Sequence, residues 1–306
     1  MKCPLCGNIN NFIHIESIND PETALEYKMY RCPECSLEFS FPMKSAPPSY
    51  YEKFGRYFER WEFKKVLDLL PFKKAKIIDI GCGEGYFLKL AKEKGFEVFG
   101  IDFNENAIKI AKEKFGIENL YPYTLEEFME KFPNEKFDFV CFFHLLEHLE
   151  DPLNFMKNIK KILKEDGYIA FSLPNPKRFF LYFNFREEWD FPPHHLTRWN
   201  EKSIDKLLNI LGFELIKKEY EPLKIKEILE GIIMIKTSFG IIKKLEDEKE
   251  GSLVNNEQKR KKKFLINILK EIKRFILYPF SLYNFIKLKK KGIYGTAMLI
   301  IAKIKK

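Results

Sequence analysis

The sequence predicts an α/β fold: an open, mostly parallel sheet with helices on both faces, preceded by a small metal-binding head. Three observations predict it. In Lys76-Ile-Ile-Asp-Ile-Gly-Cys-Gly-Glu-Gly85 an apolar strand runs into a loop with glycines at 81, 83 and 85, and a helical pattern starts behind it. In Val98-Phe-Gly-Ile-Asp102 a second apolar strand ends on a carboxylate seventeen positions after the last of those glycines. Together these form the front edge of a nucleotide-binding βαβ unit. The third observation is a pair of Cys-x-x-Cys motifs, Cys3-Pro-Leu-Cys6 and Cys32-Pro-Glu-Cys35, separated by 25 residues.

The chain has 306 residues, 45% hydrophobic and 32% charged, enough for one full domain with small additions. No apolar run follows Met1-Lys-Cys-Pro, so a signal peptide is not expected. The uncharged stretch from Phe275 to Ile286 is too short to span a bilayer, which needs about 20 residues. Cysteines in metal-type pairs suit a reducing compartment, so the expected location is cytoplasmic.

Residues 1–44 read as a zinc-ribbon head. Each Cys-x-x-Cys pair forms a tight knuckle presenting two thiolates to one tetrahedral Zn²⁺. Four protein ligands, Cys3, Cys6, Cys32 and Cys35, leave no open position, so the expected zinc is structural. Between the pairs, Phe12-Ile-His-Ile-Glu and Leu25-Glu-Tyr-Lys-Met-Tyr-Arg alternate apolar and polar residues, as two short strands do. His14 lies on the first and is read as packed or solvated. Residues 45–70 hold a linker, Ser45-Ala-Pro-Pro-Ser49, and an aromatic-rich helical pattern from Tyr50 to Leu70 with Tyr51, Phe54, Tyr57, Phe58, Trp61 and Val66.

The main domain is expected over 71–221 plus 293–306. Strands are predicted near Lys76–Ile80, Glu97–Ile101, Leu120–Tyr123, Phe137–Phe143, Gly167–Leu173, Glu214–Glu221 and Ala297–Ile304. Helices are predicted near Gly85–Lys94, Glu105–Phe115, Leu125–Lys131, Leu153–Leu163 and Glu201–Leu211.

The glycine spacing bears on the ligand. A dinucleotide site usually reads G-x-G-x-x-G over a pyrophosphate. Here the loop is G-x-G-x-G, and Asp79 precedes the first glycine by two positions. An acid there repels a pyrophosphate and suits a sulfonium or ammonium. With Asp79 to Gly85 as its first motif and Asp102 as ribose acid, the chain resembles the class I S-adenosylmethionine-dependent methyltransferases. The resemblance implies a Rossmann-like seven-stranded sheet whose last strand runs antiparallel, with S-adenosylmethionine as cofactor. It places Asp79, Gly81, Cys82, Gly83, Gly85, Asp102 and Phe103 around that cofactor, and adenine near Thr124 and Leu125. Many relatives carry an acid at the adenine position, and Thr124 departs from that. The family often lids the cofactor with a helix where Tyr50 to Leu70 stands; packing against the next domain is the alternative.

A second block is Phe137-Asp-Phe-Val-Cys-Phe-Phe-His-Leu-Leu-Glu-His148. Ligands bind at the carboxyl ends of parallel strands, which places His144 at the cofactor. The block is similar to a His-x-x-Glu-His-Leu run bordering the methionine end of the cofactor in one methyltransferase branch. Glu147 and His148 are read as pinning the turn. A third block, Asp190-Phe-Pro-Pro-His-His195-Leu-Thr-Arg-Trp199, follows the fifth strand, where an acceptor approaches. Histidine titrates near neutrality and suits proton removal, so His194, His195 and His144 are the candidate catalytic residues.

Residues 222–292 form an insertion. Between Lys259 and Lys306 there are 15 Lys/Arg and one acid, a net of +14 against +9 for the whole chain, which leaves −5 on the rest. The segment 261–276 carries an apolar face at Leu265, Ile268, Leu269, Ile272 and Ile276 with a basic opposite side. That pattern suits an anionic membrane surface, so peripheral membrane contact is expected through 259–291; packing on its own domain is the alternative.

The zinc head before such a domain is similar to sugar C-methyltransferases, and the histidine blocks are also similar to quinone-type O-methyltransferases. The expected reaction is methyl transfer to oxygen or carbon of a small-molecule, sugar or lipid-linked acceptor. An RNA-directed methyltransferase or RNA-binding protein would use the zinc ribbon and basic tail, but Phe142-Phe-His-Leu stands where base methylation favours Asn/Asp-Pro-Pro-Tyr/Phe. An NAD-dependent nucleotide-sugar oxidoreductase is disfavoured by the glycine spacing and by the lack of a Tyr-x-x-x-Lys pair after the fourth strand.

Overall fold

The fold is seen in a computed structural model that describes residues 1–21, 23–47, 58–71, 74–182, 190–229 and 277–305. The head is a small antiparallel sheet. Strands β1 (Ile13–Asp20) and β2 (Leu25–Arg31) pair as their alternation predicts, and β3 (Glu38–Phe41) adds to β2.

The main sheet starts at β4 (Lys76–Ile80), crosses over through helix α2 (Tyr86–Glu93) and returns at β5 (Glu97–Ile101). Helix α1 (Trp61–Leu69) precedes this unit. Then follow α3 (Glu105–Phe115), β6 (Leu120–Tyr121), α4 (Leu125–Lys131), β7 (Phe137–Phe143), α5 (Pro152–Ile162) and β8 (Leu163–Pro174). Strand β9 (Thr197–Arg198), α6 (Glu201–Leu211), β10 (Phe213–Tyr220) and β11 (Ala297–Ile304) complete the unit. The helix boundaries have local causes. Asn104, Asp151 and Asn200 cap their helices by accepting from backbone N–H groups, Pro152 opens α5, and glycines at positive φ close α3 and α6.

The sheet order is β10-β11-β8-β7-β4-β5-β6, with β11 antiparallel to both neighbours and the remaining pairs parallel. This is the seven-stranded Rossmann-like sheet expected from sequence. Both faces are covered, so its strands are apolar on both sides. Ile78, Val140, Phe142, Phe171 and Ile300 enter one core, while Ile77, Phe139, Cys141, Ala170 and Leu299 enter the other. Strand order reverses between β4 and β7, and a crevice opens at such a switch point beyond the carboxyl ends of the strands.

Several boundaries differ from expectation. Strand β6 stops at Tyr121, because Pro122 has no N–H for the ladder. Strand β8 begins at Leu163, which pairs with Phe137 across an irregularity, so α5 ends one residue early. Among the described residues, the helical pattern drawn from Tyr50 is a helix over Trp61–Leu69, with Phe58 to Arg60 outside it; Tyr51, Phe54 and Tyr57 lie outside the described residues. The head sheet also gains a fourth strand, β9, from the segment after the paired histidines. Two residues are too few to leave an alternation pattern.

The chain divides into two compact units. The first comprises 1–176, 187–221 and 297–306, so the head strands and main sheet fall together, and the second comprises 177–186 and 222–296. In the second, Phe179, Ile228 and Leu288 form a small core, and residues 277–290 form a helix. The basic amphipathic pattern over 261–276 lies outside the described residues. Among the described residues, no helix is long and apolar enough to cross a membrane.

Candidate cofactor and acceptor site

The carboxyl end of β4 delivers Asp79 into the glycine loop. Gly81, Gly83 and Gly85 all have positive φ (74°, 52° and 75°), conformations that a Cβ would strain. The loop is tied to β5, since the N–H groups of Gly81 and Cys82 donate to the Ile101 carbonyl at 2.8 and 3.0 Å. At the tip of β5, Asp102 accepts from Gly83 N–H on Oδ2 (2.8 Å) and from Asn104 N–H on Oδ1 (2.9 Å). Each oxygen keeps a lone pair, so the carboxylate is aimed before any ligand arrives. Asp102 is buried, and burial raises its carboxyl above the usual range despite those two bonds.

Asp79 is 2% exposed, and its Oδ1 has no hydrogen-bond partner among the described residues. Burial pushes this carboxyl well above the usual range, and neighbouring Asp102 adds to the shift. An orphaned buried acid awaits a positive or donating group. Cys82 is buried with its thiol pushed up by burial. Its sulfur stands 2.9 Å from where a Cβ on Gly100 would be, so residue 100 must lack a side chain. Phe103 follows, half exposed. Thr124 caps α4 in a capping box with Glu127, which commits its hydroxyl locally, and Leu125 is buried beneath.

At the end of β7, His144 adopts φ 49°, a left-handed conformation that costs a non-glycine residue energy. The turn aims its ring between two buried carboxylates. Nε2 lies 3.3 Å from Glu62 Oε1 of α1, and Nδ1 lies 3.4 Å from Glu147 Oε1. Ser172 of β8 donates to Glu62 at 3.0 Å. Burial and Arg60 depress the His144 pKa, but the two carboxylates outweigh them and raise it above the usual value. The adjacent Leu145 side chain lies 3.5 Å from where a Cβ on Gly81 would stand, so this turn borders the glycine loop.

The segment after β8 brings His194 and His195 against His148. Ring centroids are 4.5 Å apart for His148–His194, 4.8 Å for His148–His195 and 4.9 Å for His194–His195. The His148 Nδ1 is 2.7 Å from the His194 carbonyl, and the His195 Nδ1 faces Asp190 Oδ1 at 3.6 Å. Burial pulls the His148 pKa down to about 4. Burial, with His148 and His195 nearby, pulls His194 down to about 2.

The head grips this segment. Ser40 N–H donates to the Leu196 carbonyl, Asn200 Nδ2 donates to the Ser36 carbonyl, and Arg198 pairs with Glu16 and Glu38. At the other end of the head, Cys3 and Cys35 approach to 3.6 Å between sulfurs, as do Cys6 and Cys32. All four sulfurs lie within 4.8 Å of one another, a donor set that fits one tetrahedral Zn²⁺. His14 contacts Ser17 Oγ at 3.1 Å, away from any role as a ligand.

A family model described as a methyltransferase domain matches residues 53–218, more than half of the chain. The chain belongs to this methyltransferase family. Its sequence is 29% identical over 157 residues to the ubiquinone biosynthesis O-methyltransferase of Histophilus somni, covering 44% of this chain and 66% of that enzyme. The enzyme of the same name from Coxiella burnetii is 28% identical over 179 residues, covering 53% of this chain and 74% of its own. A SAM-dependent methyltransferase from Archaeoglobus fulgidus shares the fold at a TM-score of 0.51 and 24% identity, covering 83% of this chain and 98% of its own.

The methyltransferase is S-adenosylmethionine-dependent, and the residues at the switch point fit that cofactor. Asp102 offers two acceptors for ribose hydroxyls, and the orphaned Asp79 oxygen suits a cationic methionine end. Sequence reasoning did not find Glu62 or Asp190. Glu62 sits in the helical pattern drawn from Tyr50 to Leu70, and its only signal was an acid on a face otherwise occupied by Phe63 and Val66. His148, read as pinning a turn, joins the histidine cluster.

Proposed function

We propose that this methyltransferase transfers the methyl group to a hydroxyl oxygen of a small, partly apolar acceptor. The observation that supports it is the histidine-rich turn bordering the glycine loop at the switch point, with His194 and His195 stacked beside it. The names of the curated relatives favour oxygen over carbon. The bound cofactor supplies a methyl group already activated on a sulfonium. Asp79 and Asp102 would hold that group's carrier, and Glu62 and Glu147 fix the His144 ring and raise its pKa. His195 would take the proton of the acceptor hydroxyl as its oxygen bonds to the methyl carbon that the cofactor would supply, the sulfur keeping the electron pair of the broken C–S bond. His194, whose basicity burial suppresses, would position the acceptor. Positioning carries most of the rate in such a displacement.

The four head cysteines hold a structural zinc in this reading. The helix 277–290 exposes Tyr278, Leu282, Tyr283 and Ile286, with Lys287, Lys289 and Lys290 exposed beside them. Apolar tips rimmed by lysines suit an anionic lipid surface that delivers a lipid-linked acceptor. The experiment is methyl-labelled S-adenosylmethionine offered with phenolic, sugar and lipid fractions. Label on a hydroxyl oxygen of a small or lipid-linked phenol is expected. Label on carbon, or only in RNA, overturns the oxygen assignment, and sedimentation with vesicles of phosphatidylglycerol checks the lipid surface.

A further inference from the structure

We propose that His148, His194 and His195 form a binding site for one divalent transition-metal cation, separate from the cysteine site of the head. The three imidazoles come from two segments, the turn after β7 and the Asp190 loop. All three offer a nitrogen within a cluster no wider than 4.8 Å. For bonds of about 2.0–2.1 Å, tetrahedral ligand nitrogens stand roughly 3.4 Å apart, so the rings need to close inward by about an ångström. The backbone already fixes the two segments together. Leu196 N–H donates to the Glu147 carbonyl at 2.8 Å, and His195 N–H donates to the Phe191 carbonyl at 3.0 Å.

The partners of the rings set which nitrogen is offered. The His148 Nδ1, at 2.7 Å from a carbonyl oxygen, must carry the proton, which makes Nε2 its lone-pair nitrogen. Asp190 Oδ1 faces the His195 Nδ1 at 3.6 Å, beyond hydrogen-bond distance, and places a carboxylate on that side of the ring. A carbonyl or carboxylate on one ring nitrogen, with the other turned inward, is how metal-binding histidines are held. Glu147 Oε1, 4.0 Å from the His148 Nε2, places a negative charge beside the cluster. Three imidazoles favour zinc, cobalt, nickel or copper over magnesium, which prefers oxygen ligands and water. Three protein ligands also leave a fourth position, the mark of a reactive rather than a structural site. An acceptor oxygen in that position would lose its proton more readily. The site shares His194 and His195 with the proposed function. With a cation bound these rings would ligate it and could not take the acceptor's proton. Its role toward the acceptor therefore rests on that reading and replaces the rings as the means of proton loss.

The test uses the full chain, stripped of metal under reducing conditions and titrated with Co²⁺. Thiolate-to-cobalt charge transfer in the near ultraviolet should saturate at one equivalent, for the cysteines. A second equivalent should add visible absorption without further charge transfer. His148→Gln and His195→Gln should each weaken the second equivalent by more than about 100-fold and leave the first unchanged. A wild-type chain that takes one equivalent overturns the site, and so does a second equivalent retained by both variants. Should a variant fail to fold, the wild-type titration decides alone. Calorimetry of S-adenosylmethionine on the same sample separates the two readings: no cofactor binding sinks the proposed function, whereas intact cofactor binding with one cobalt sinks only the metal site.

Discussion

The two ends of the site are built differently. The proposed cofactor end centres on one continuous stretch, Asp79 to Asp102, in which two strands and a glycine loop bring the two acids and three glycines together through local backbone geometry. The proposed acceptor end is assembled from four separate places: Glu62 of α1, the turn at His144 to His148, the loop at Asp190 to His195, and the head strand that pairs with β9. A site held by one loop fails only if that loop changes. A site held by four segments fails whenever any of them moves.

The largest effect is expected at the cofactor end. Asp102→Ala removes the ribose acceptor and also frees Gly83 and Asn104 N–H groups, each of which donates to it. Hydrogen bonds to a charged group contribute about 1.5–3 kcal/mol apiece, so cofactor affinity should fall by at least about 100-fold by calorimetry. Unchanged affinity would remove the ribose assignment.

The acceptor end should respond to a change far from the chemistry. Stripping zinc, or Cys32→Ser, should melt the head and release the loop after His195, which β3 holds through Phe39 and Glu38. Displacing a reacting group by about 1 Å can cost about 10²-fold in rate, so methyl transfer should drop by that order while cofactor affinity stays the same. If cofactor binding fell with it, the two ends would not be separable.

These ends also differ in how far the sequence disclosed them. The glycine loop, both acids and all four head cysteines were legible, because each depends on residue types at fixed short spacings. The seven strands were legible because apolar runs on a doubly covered sheet leave a direct mark. The fourth head strand was not, since Thr197 and Arg198 pair with Phe39 and Glu38 across more than 150 positions of chain and carry no pattern. Nor was Glu62, whose role comes entirely from a tertiary contact with His144.

Glu62→Gln tests that contact with a smaller effect. The amide keeps the shape and an acceptor for Ser172, but loses the charge facing His144. Leaving one buried group without its ionic partner costs about 1–3 kcal/mol, to be read as a lowered unfolding midpoint. It should also lower the His144 pKa, measured by NMR titration. An unchanged titration would mean that Glu147 alone holds the ring.

The smallest effect separates the ends by proton uptake. The folded-state pKa of Asp79 is raised above its unfolded value, chiefly by burial. As pH rises past about 4 the unfolded chain gives up this proton first, so the cofactor-free protein loses stability until the folded pKa is passed. A cationic cofactor favours the ionised carboxylate. Binding should therefore release a proton within that window, and affinity should climb with pH until the folded pKa and then level off. Calorimetry in two buffers of different ionisation heat reads the release directly, and Asp79→Asn should abolish it. A release that persists in Asp79→Asn would assign the proton to another group, and the histidines of the acceptor end would be the first to examine.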